Sequence, residues 1–418
     1  MSGWRAPERI FVGMGVTFDA ATWAWYLAAI VWWTVDLGYG PLQLVLLGTV
    51  LEVTALVTEV PTGVVADRVS RKWSVVSSYA MMSTAMVLSA ATRNYGVMLA
   101  AQALFGLGWT FRSGADVAWL TDERTALRRL EGESDAEALD ESPALLRRHR
   151  LGITAGLVAL VPVILWGDRS LRGVIVLSGL ALALTTIWLA VAMTDHFRAG
   201  NDGDEHEAGM LAILRDGFGV TRRVRSIRLL IVVMVLLGLG AEALDRLGFK
   251  AFLDEGDFGD ESLRFTGILF ATMAALGLLV VWVTESARNR GVGLGLLAVV
   301  LLAVSSAGAV IAAVAPAIGI AVGLALQDPC REALDPVTTA VANEQAPESS
   351  RATVLSFVSL SHGLGNTFGG IVLALVAEAL DVRWAIFAAG ALWAVATVVA
   401  RLAASVPADT PTSAVDAS

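Results

Sequence analysis

Apolar residues in this chain come in runs of about 20, divided by short polar stretches, from near Ile10 to near Arg401. Coiled as a helix, a run of that length crosses the roughly 30 Å hydrocarbon layer of a bilayer. Transmembrane β-strands would be about half as long and would alternate in polarity; these runs do neither. The pattern predicts about twelve spans. The first six fall at 10–33, 41–66, 73–92, 96–120, 150–167 and 171–193. The second six fall at 228–250, 263–284, 291–312, 316–342, 352–377 and 383–404. The expected fold class is therefore an all-α membrane protein.

Two longer polar stretches break the rhythm. Thr121 to His149 carries both charge signs and reads as an amphipathic or partly ordered helical loop. Asp195 to Arg228 divides the chain; it opens with a Gly/Asp/Glu/His-rich piece at 200–209, the composition of a flexible linker. It closes with Arg222, Arg223, Arg225 and Arg228 at the membrane surface. The predicted organisation is an N-terminal six-helix bundle at 1–194 and a cytoplasmic central loop at 195–227. A C-terminal six-helix bundle follows at 228–404, then a disordered cytoplasmic tail at 405–418.

Charge orients this layout. With the N-terminus inside, lysines and arginines favour the cytoplasmic side by about three to one, so both termini are expected to be cytoplasmic. Trp4, Trp32, Trp33, Trp73 and Trp166 fall near the expected interfaces, which suit amphipathic rings. Only 17% of the 418 residues are charged, against about 25% in soluble domains, which removes an ordinary soluble fold. The net charge of −9 does not suggest a nucleic-acid partner, because the charges sit in loops of opposite bias. Cys330 is the only cysteine, so no disulfide can form within the chain. No Walker-type phosphate loop is present, and no metal site or enzymatic chemistry is expected. The first apolar run lacks a following small-residue cleavage site and reads as a retained helix.

The halves echo each other. Arg112 and Asp116 have counterparts in Arg331 and Asp335, 219 positions on. Asp67, Arg71 and Lys72 are echoed by Glu285, Asn289 and Arg290, 218 positions on. Parallel duplicated halves, with the binding site near mid-membrane, are a transporter architecture.

Ionisable residues inside spans carry the candidate chemistry, since a charge at the bilayer centre costs about 3 kcal/mol and is normally paired or lines a cavity. Arg112 and Asp116 are four apart and expected to pair on one helix face, as are Arg331 and Asp335. They are either structural ion pairs or groups that bind solute or proton. Asp19 and Glu52 are single acids at depth, suited to carrying a proton or to satisfying Arg112. Glu242, Asp245 and Arg246, with Lys250, read either as an outer gate or as a solvated helix end. Asp328 and Pro329 suggest a helix break beside a charge. His362 is a proton shuttle or a packing residue. Gly363, Gly365, Gly369 and Gly370 are expected to let helices approach closely. Trp23, Trp25 and Tyr26 serve either ligand stacking or packing.

The stretch Glu59-Val-Pro-Thr-Gly-Val-Val-Ala-Asp-Arg-Val-Ser-Arg-Lys-Trp73 joins spans 2 and 3 with little room for a loop. Its Gly63, Asp67, Arg68, Arg71 and Lys72 resemble the pattern G-x-x-x-D-R-x-G-R-K of the major facilitator superfamily, with Ser70 in place of the second glycine. Ser113-Gly-Ala-Asp-Val-Ala-Trp-Leu-Thr-Asp-Glu123 and Arg351-Ala-Thr-Val-Leu-Ser356 look like an uncharacterised bacterial branch often described as drug efflux. Gln102 stands where that family's fourth helix usually carries an arginine, and the Gly152/Gly156 pair is followed by proline only at Pro162.

The resemblance implies two pseudo-symmetric six-helix bundles, a multi-pass protein of the bacterial cytoplasmic membrane, and a monomer. It implies a conformational gate in which Arg68 or Arg71 reaches Asp122 or Glu123. The implied function is proton-coupled efflux of small amphipathic compounds, with the proton gradient in place of a cofactor. The alternatives are proton symport of a small polar or anionic solute held by Arg112 and Arg331, and a non-transporting membrane sensor. The partners are then a small-molecule substrate, protons and the lipid bilayer.

Overall fold

A computed structural model describes residues 6–131, 142–196, 224–346 and 351–405. The linker at 200–209, Arg222, Arg223, Trp4 and the tail from 406 lie outside the described residues. The described chain is helical almost throughout. The first seven helices are α1 (Ala6–Val31), α2 (Pro41–Arg68), α3 (Arg71–Ala91), α4 (Tyr95–Arg112), α5 (Ala115–Glu131), α6 (Ser142–Trp166) and α7 (Leu171–Ala192). The second seven are α8 (Arg225–Gly256), α9 (Ser262–Asn289), α10 (Leu294–Val314), α11 (Ala317–Glu332), α12 (Leu334–Gln345), α13 (Arg351–Ala379) and α14 (Val382–Ala404).

Ten of the described helices are long and apolar enough to cross a bilayer. The predicted fourth and tenth spans are the exceptions, because each is broken in two. The fourth breaks at Ser113–Gly114, where Gly114 takes φ +77°, a left-handed conformation open to glycine at little cost. The tenth breaks at Ala333, whose N–H is shared between the carbonyls of Arg331 and Pro329. Pro329 itself stays inside α11, so the expected break lies four residues past the proline. The breaks are 219 positions apart, the same offset as the Arg/Asp repeat.

The chain divides into two compact units. The described residues of the first are 6–39, 46–131, 142–196 and 257–271; those of the second are 40–45, 224–256, 272–346 and 351–405. Within the first, α1 packs on α5, α6 and α7, and α3 on α4, α5 and α7. Within the second, α8 packs on α12, α13 and α14, and α10 on α11, α12 and α14. These contacts recur with the helices renumbered by seven; the second unit also packs α8 on α11 and α13 on α12 and α14.

Packing follows membrane rules. In lipid no hydrophobic drive separates helix from hydrocarbon, so small residues that allow close contact set the interfaces. A Cβ on Gly365 would stand 2.5 Å from the Val235 carbonyl oxygen, and Gly369 lies directly on Leu239, so α13 meets α8 backbone to backbone. Gly363 has no neighbour within 4 Å and takes no part in that contact. Large apolar side chains such as Leu177, Leu184, Val191, Ile318 and Phe368 point outward, exposed.

Candidate functional site

The α2–α3 junction is built from two residues, Val69 and Ser70, between Arg68 and Arg71. Ser70 accepts from the Trp73 backbone N–H at 3.1 Å and so caps α3. Its hydroxyl also donates to Asp195 at 2.7 Å. Its φ of −173° is extended, so the glycine of the family pattern is not needed here. Arg71 reaches Asp122 at 2.7 Å, Asp67 at 3.3 Å and the Ala118 carbonyl at 3.3 Å. Burial pushes the Asp122 carboxyl up from its ordinary value, and the Arg71 guanidinium opposes that rise. Asp67 and Arg68 are exposed, Lys72 lies over the Trp73 ring, and Gly63 faces open space. Glu123 does not join this cluster. It is 3% exposed and accepts from the His196 backbone N–H at 3.0 Å and from the Thr194 hydroxyl. Its carboxylate also meets His196 Nδ1 at 2.7 Å, so it anchors the chain leaving α7. The echo at Glu285, Asn289 and Arg290 is exposed.

Deep in the first unit, the break after Arg112 undoes the expected Arg112–Asp116 pair. Four residues make one face only on a continuous helix. Arg112 ends α4 and Asp116 opens α5, where a negative charge suits the helix N-terminus. Asp116 pairs instead with Arg148 of α6 at 2.8 Å and accepts from the Val117 N–H at 2.8 Å. Arg148 passes over Gly15 and faces the Phe11 ring. Arg112 sits 3.8 Å from the centroid of Phe18 and 5.0 Å from that of Trp109. Its Nη1 is buried with no hydrogen-bond partner among the described residues. Asp19 lies within electrostatic reach of Arg112, Arg148 and His149. Its carboxylate fits against α6 only because position 152 is glycine; any Cβ there would overlap it. Glu52 is half-buried on α2. Trp25 stacks on Phe105 with centroids 4.9 Å apart and is core, while Trp23 and Tyr26 both meet Phe270.

In the second unit, Arg331 does not pair with Asp335, which is exposed in the first turn of α12. Arg331 Nη2 contacts Asp245 at 2.9 Å, Asp328 at 3.0 Å and Glu332 at 2.9 Å. Glu242 and Arg246 pair at 3.1 Å and are buried, so this part of α8 is not a solvated helix end. The Glu242 backbone N–H is bound by Asn366 of α13 at 2.7 Å. Lys250 instead pairs with Asp254 at 3.0 Å. His362 lies within electrostatic reach of Arg331, Glu332 and Asp335. Among the described residues, no three His, Cys, Asp or Glu groups converge as metal ligands.

Sequence reasoning placed Arg148 in a polar loop. The Arg147-Arg-His-Arg150 run was its only signal, and α6 begins eight residues earlier than the predicted span. Asp245 reads in the sequence, with Glu242 and Arg246, as an outer gate or a solvated helix end, and nothing in its spacing pairs it with Arg331.

No protein-family model matches the chain. An uncharacterised MFS-type transporter of Bacillus subtilis (strain 168), YxaM, is 20% identical over 377 residues, covering 88% of this chain and 87% of the relative. A mutant form of the nucleoside transporter NupG superposes with a TM-score of 0.79 at 13% identity, over 96% of this chain and all of that one. A bacterial homologue of the lysosomal transporter Spinster, in an inward-facing and unoccupied conformation, gives 0.71 at 13% identity, covering 96% and 98%. A POT family transporter gives 0.70 at 12% identity, covering 95% of each chain. The chain is a multi-pass integral membrane protein with the major facilitator fold.

Proposed function

We propose that this chain is a secondary active transporter working by alternating access, powered by the proton gradient and exporting small amphipathic compounds. The fold supports the class: the structural neighbours carry names of solute transporters. The observation that carries the proton coupling is Asp19, a carboxylate inside α1 seated on Gly152 and facing Arg112, Arg148 and His149. A proton on Asp19 changes the charge balance of that cluster by one, which is the kind of change a coupled carrier uses. In this reading the protein is a monomer of the bacterial cytoplasmic membrane with both termini inside. Its two bundles span 1–194 and 228–404, joined by the cytoplasmic loop 195–227. Arg71, Asp67 and Asp122 form a latch that opens and closes with the cycle.

A second reading is favoured by Arg112. Its Nη1 is buried and unpartnered, and aromatic rings flank the guanidinium. That is a binding group for a carboxylate or phosphate, and it supports proton symport of a small anionic solute. Flux in inverted vesicles with an imposed proton gradient separates the two. Accumulation of amphipathic cations or neutral compounds inside such vesicles supports export. Proton-driven exit of an anionic solute supports symport, and no flux of either class sinks the transporter reading.

A further inference from the structure

α1 and α6 lay side chains over each other's glycines. Arg148 of α6 passes over Gly15, and the Asp19 carboxylate lies on Gly152. The Trp23 indole lies on Gly156, where a Cβ would stand 2.5 Å from Cδ2. The positions step by four on both helices, so α1 and α6 run in register one turn at a time. Small residues let the backbones close up in this way. The two seats on α6 thus hold a carboxylate and, one turn further, an indole.

Asp19, Trp23 and Tyr26 fall on one stripe of α1, since steps of four and three return to the same face. All three are half-buried, whereas the flanking Phe18, Ala24, Trp25 and Leu27 are buried. Phe270 of α9 belongs to the first unit and is also half-buried. It meets Trp23 edge to face with centroids 5.6 Å apart, and Tyr26 at 6.0 Å. Gly267, one turn before Phe270, permits that approach: a Cβ there would stand 2.5 Å from Ile164 of α6 and 3.2 Å from Leu27 of α1. A carboxylate on this stripe argues against a lipid-facing surface, where charge is costly. Asp19 lies within electrostatic reach of Arg112, Arg148 and His149, and Arg148 is held by Asp116 at 2.8 Å. The Asp19 carboxylate makes no hydrogen bond or ion pair among the described residues, so its oxygens remain acceptors.

We infer that Asp19, Trp23, Tyr26 and Phe270 form a solute-binding site for a flat aromatic compound bearing an amino group. The three rings take the ring system, and Asp19 accepts from the amine. Aromatic rings attract a flat partner by stacking and a cationic one through their negative faces. The site names the substrate class of the export reading above and rests on it, but binding itself requires no proton gradient.

Equilibrium binding to the full-length protein in lipid nanodiscs tests this, with empty nanodiscs as background. The probes are proflavine, a flat three-ring compound with two amino groups, and acridine, the same rings without them. Fluorescence titration is expected to show saturable binding of both, tighter for proflavine. Trp23→Ala and Tyr26→Ala are each expected to weaken both probes by about tenfold, the loss of one ring contact. Trp23→Phe keeps a ring and is expected to stay close to wild type, which separates lost stacking from a misfolded variant. Asp19→Asn is expected to weaken proflavine by about tenfold and to leave acridine unchanged. Unchanged affinity for both probes in Trp23→Ala and Tyr26→Ala would overturn the site, as would uptake no greater than that of empty nanodiscs. Equal loss of both probes in Asp19→Asn would overturn the assignment of Asp19 as acceptor for the amine. Should binding respond as stated while vesicles show no flux, the site stands and the transporter reading falls. Flux of another solute without dye binding has the reverse meaning.

Discussion

Arg112 and Arg331 hold equivalent places in the repeat and keep opposite company. Arg331 is surrounded by carboxylates, whereas Arg112 lies against rings. Loss of each side chain should therefore be felt differently. Arg331→Gln removes the guanidinium that Asp245 and Asp328 both contact, and removing one partner of a buried pair costs about 3 kcal/mol. A marked fall in the thermal midpoint of the purified protein checks this. Arg112→Gln takes one of three neighbouring charges from Asp19, which keeps Arg148 and His149, so its midpoint is expected to fall less than that of Arg331→Gln. Its effect should fall on an anionic solute, with affinity weaker by roughly tenfold to a hundredfold, about 1.4–2.8 kcal/mol. Equal loss of affinity for neutral and anionic solutes would show that Arg112 shapes the site without binding charge.

At the scale of the element, Ser70 is the best-defined joint. Ser70→Ala removes the α3 cap, at about 1 kcal/mol, together with the bond to Asp195. Ser70→Gly restores the family pattern and removes the same hydroxyl, but glycine at an N-cap costs only a few tenths of a kcal/mol, so it is expected to be the more stable of the two variants. Denaturation midpoints of both variants check the order. The helices themselves were legible in the sequence because apolar length is set by the bilayer, and ten helices keep that length. Their breaks were not. Ser113-Gly114 sits within a run that reads as one span, and only the left-handed φ of Gly114 reveals the turn. Once the helix is broken, the four-residue spacing from Arg112 to Asp116 loses its meaning, which is why that pair failed. The Arg71–Asp122 contact is one of the pairings the family resemblance implies, which left Arg68 or Arg71 and Asp122 or Glu123 open. The Asp245–Arg331 contact was not legible, because it joins α8 to α11 across 86 positions and depends on their packing.

At the scale of the whole molecule, one helix framework has been used twice with different charge. The first unit balances Asp116 against Arg148 and leaves Arg112 against aromatic rings; the second gathers three carboxylates on Arg331. Acidification acts on this arrangement also at the membrane surface. Burial outweighs Arg71 at Asp122, so its folded value lies above the ordinary aspartate value of 3.8. A carboxyl raised by folding binds its proton more tightly in the folded state, so this group's contribution to stability grows as pH falls through that window and is lost as pH rises. Asp122→Asn is expected to flatten that part of the thermal midpoint against pH; an unchanged slope would assign it to another group. The same geometry bears on the α2–α3 junction. Asp67 is 47% exposed, and Arg71 has a second, shorter contact to Asp122 at 2.7 Å. Asp67→Asn should then shift stability by less than about 1 kcal/mol, the usual worth of an exposed ion pair. If the junction must break and re-form in every cycle, the same variant should express normally yet lose nearly all proton-driven flux. Wild-type flux from Asp67→Asn in reconstituted vesicles would reduce the α2–α3 junction to a structural turn.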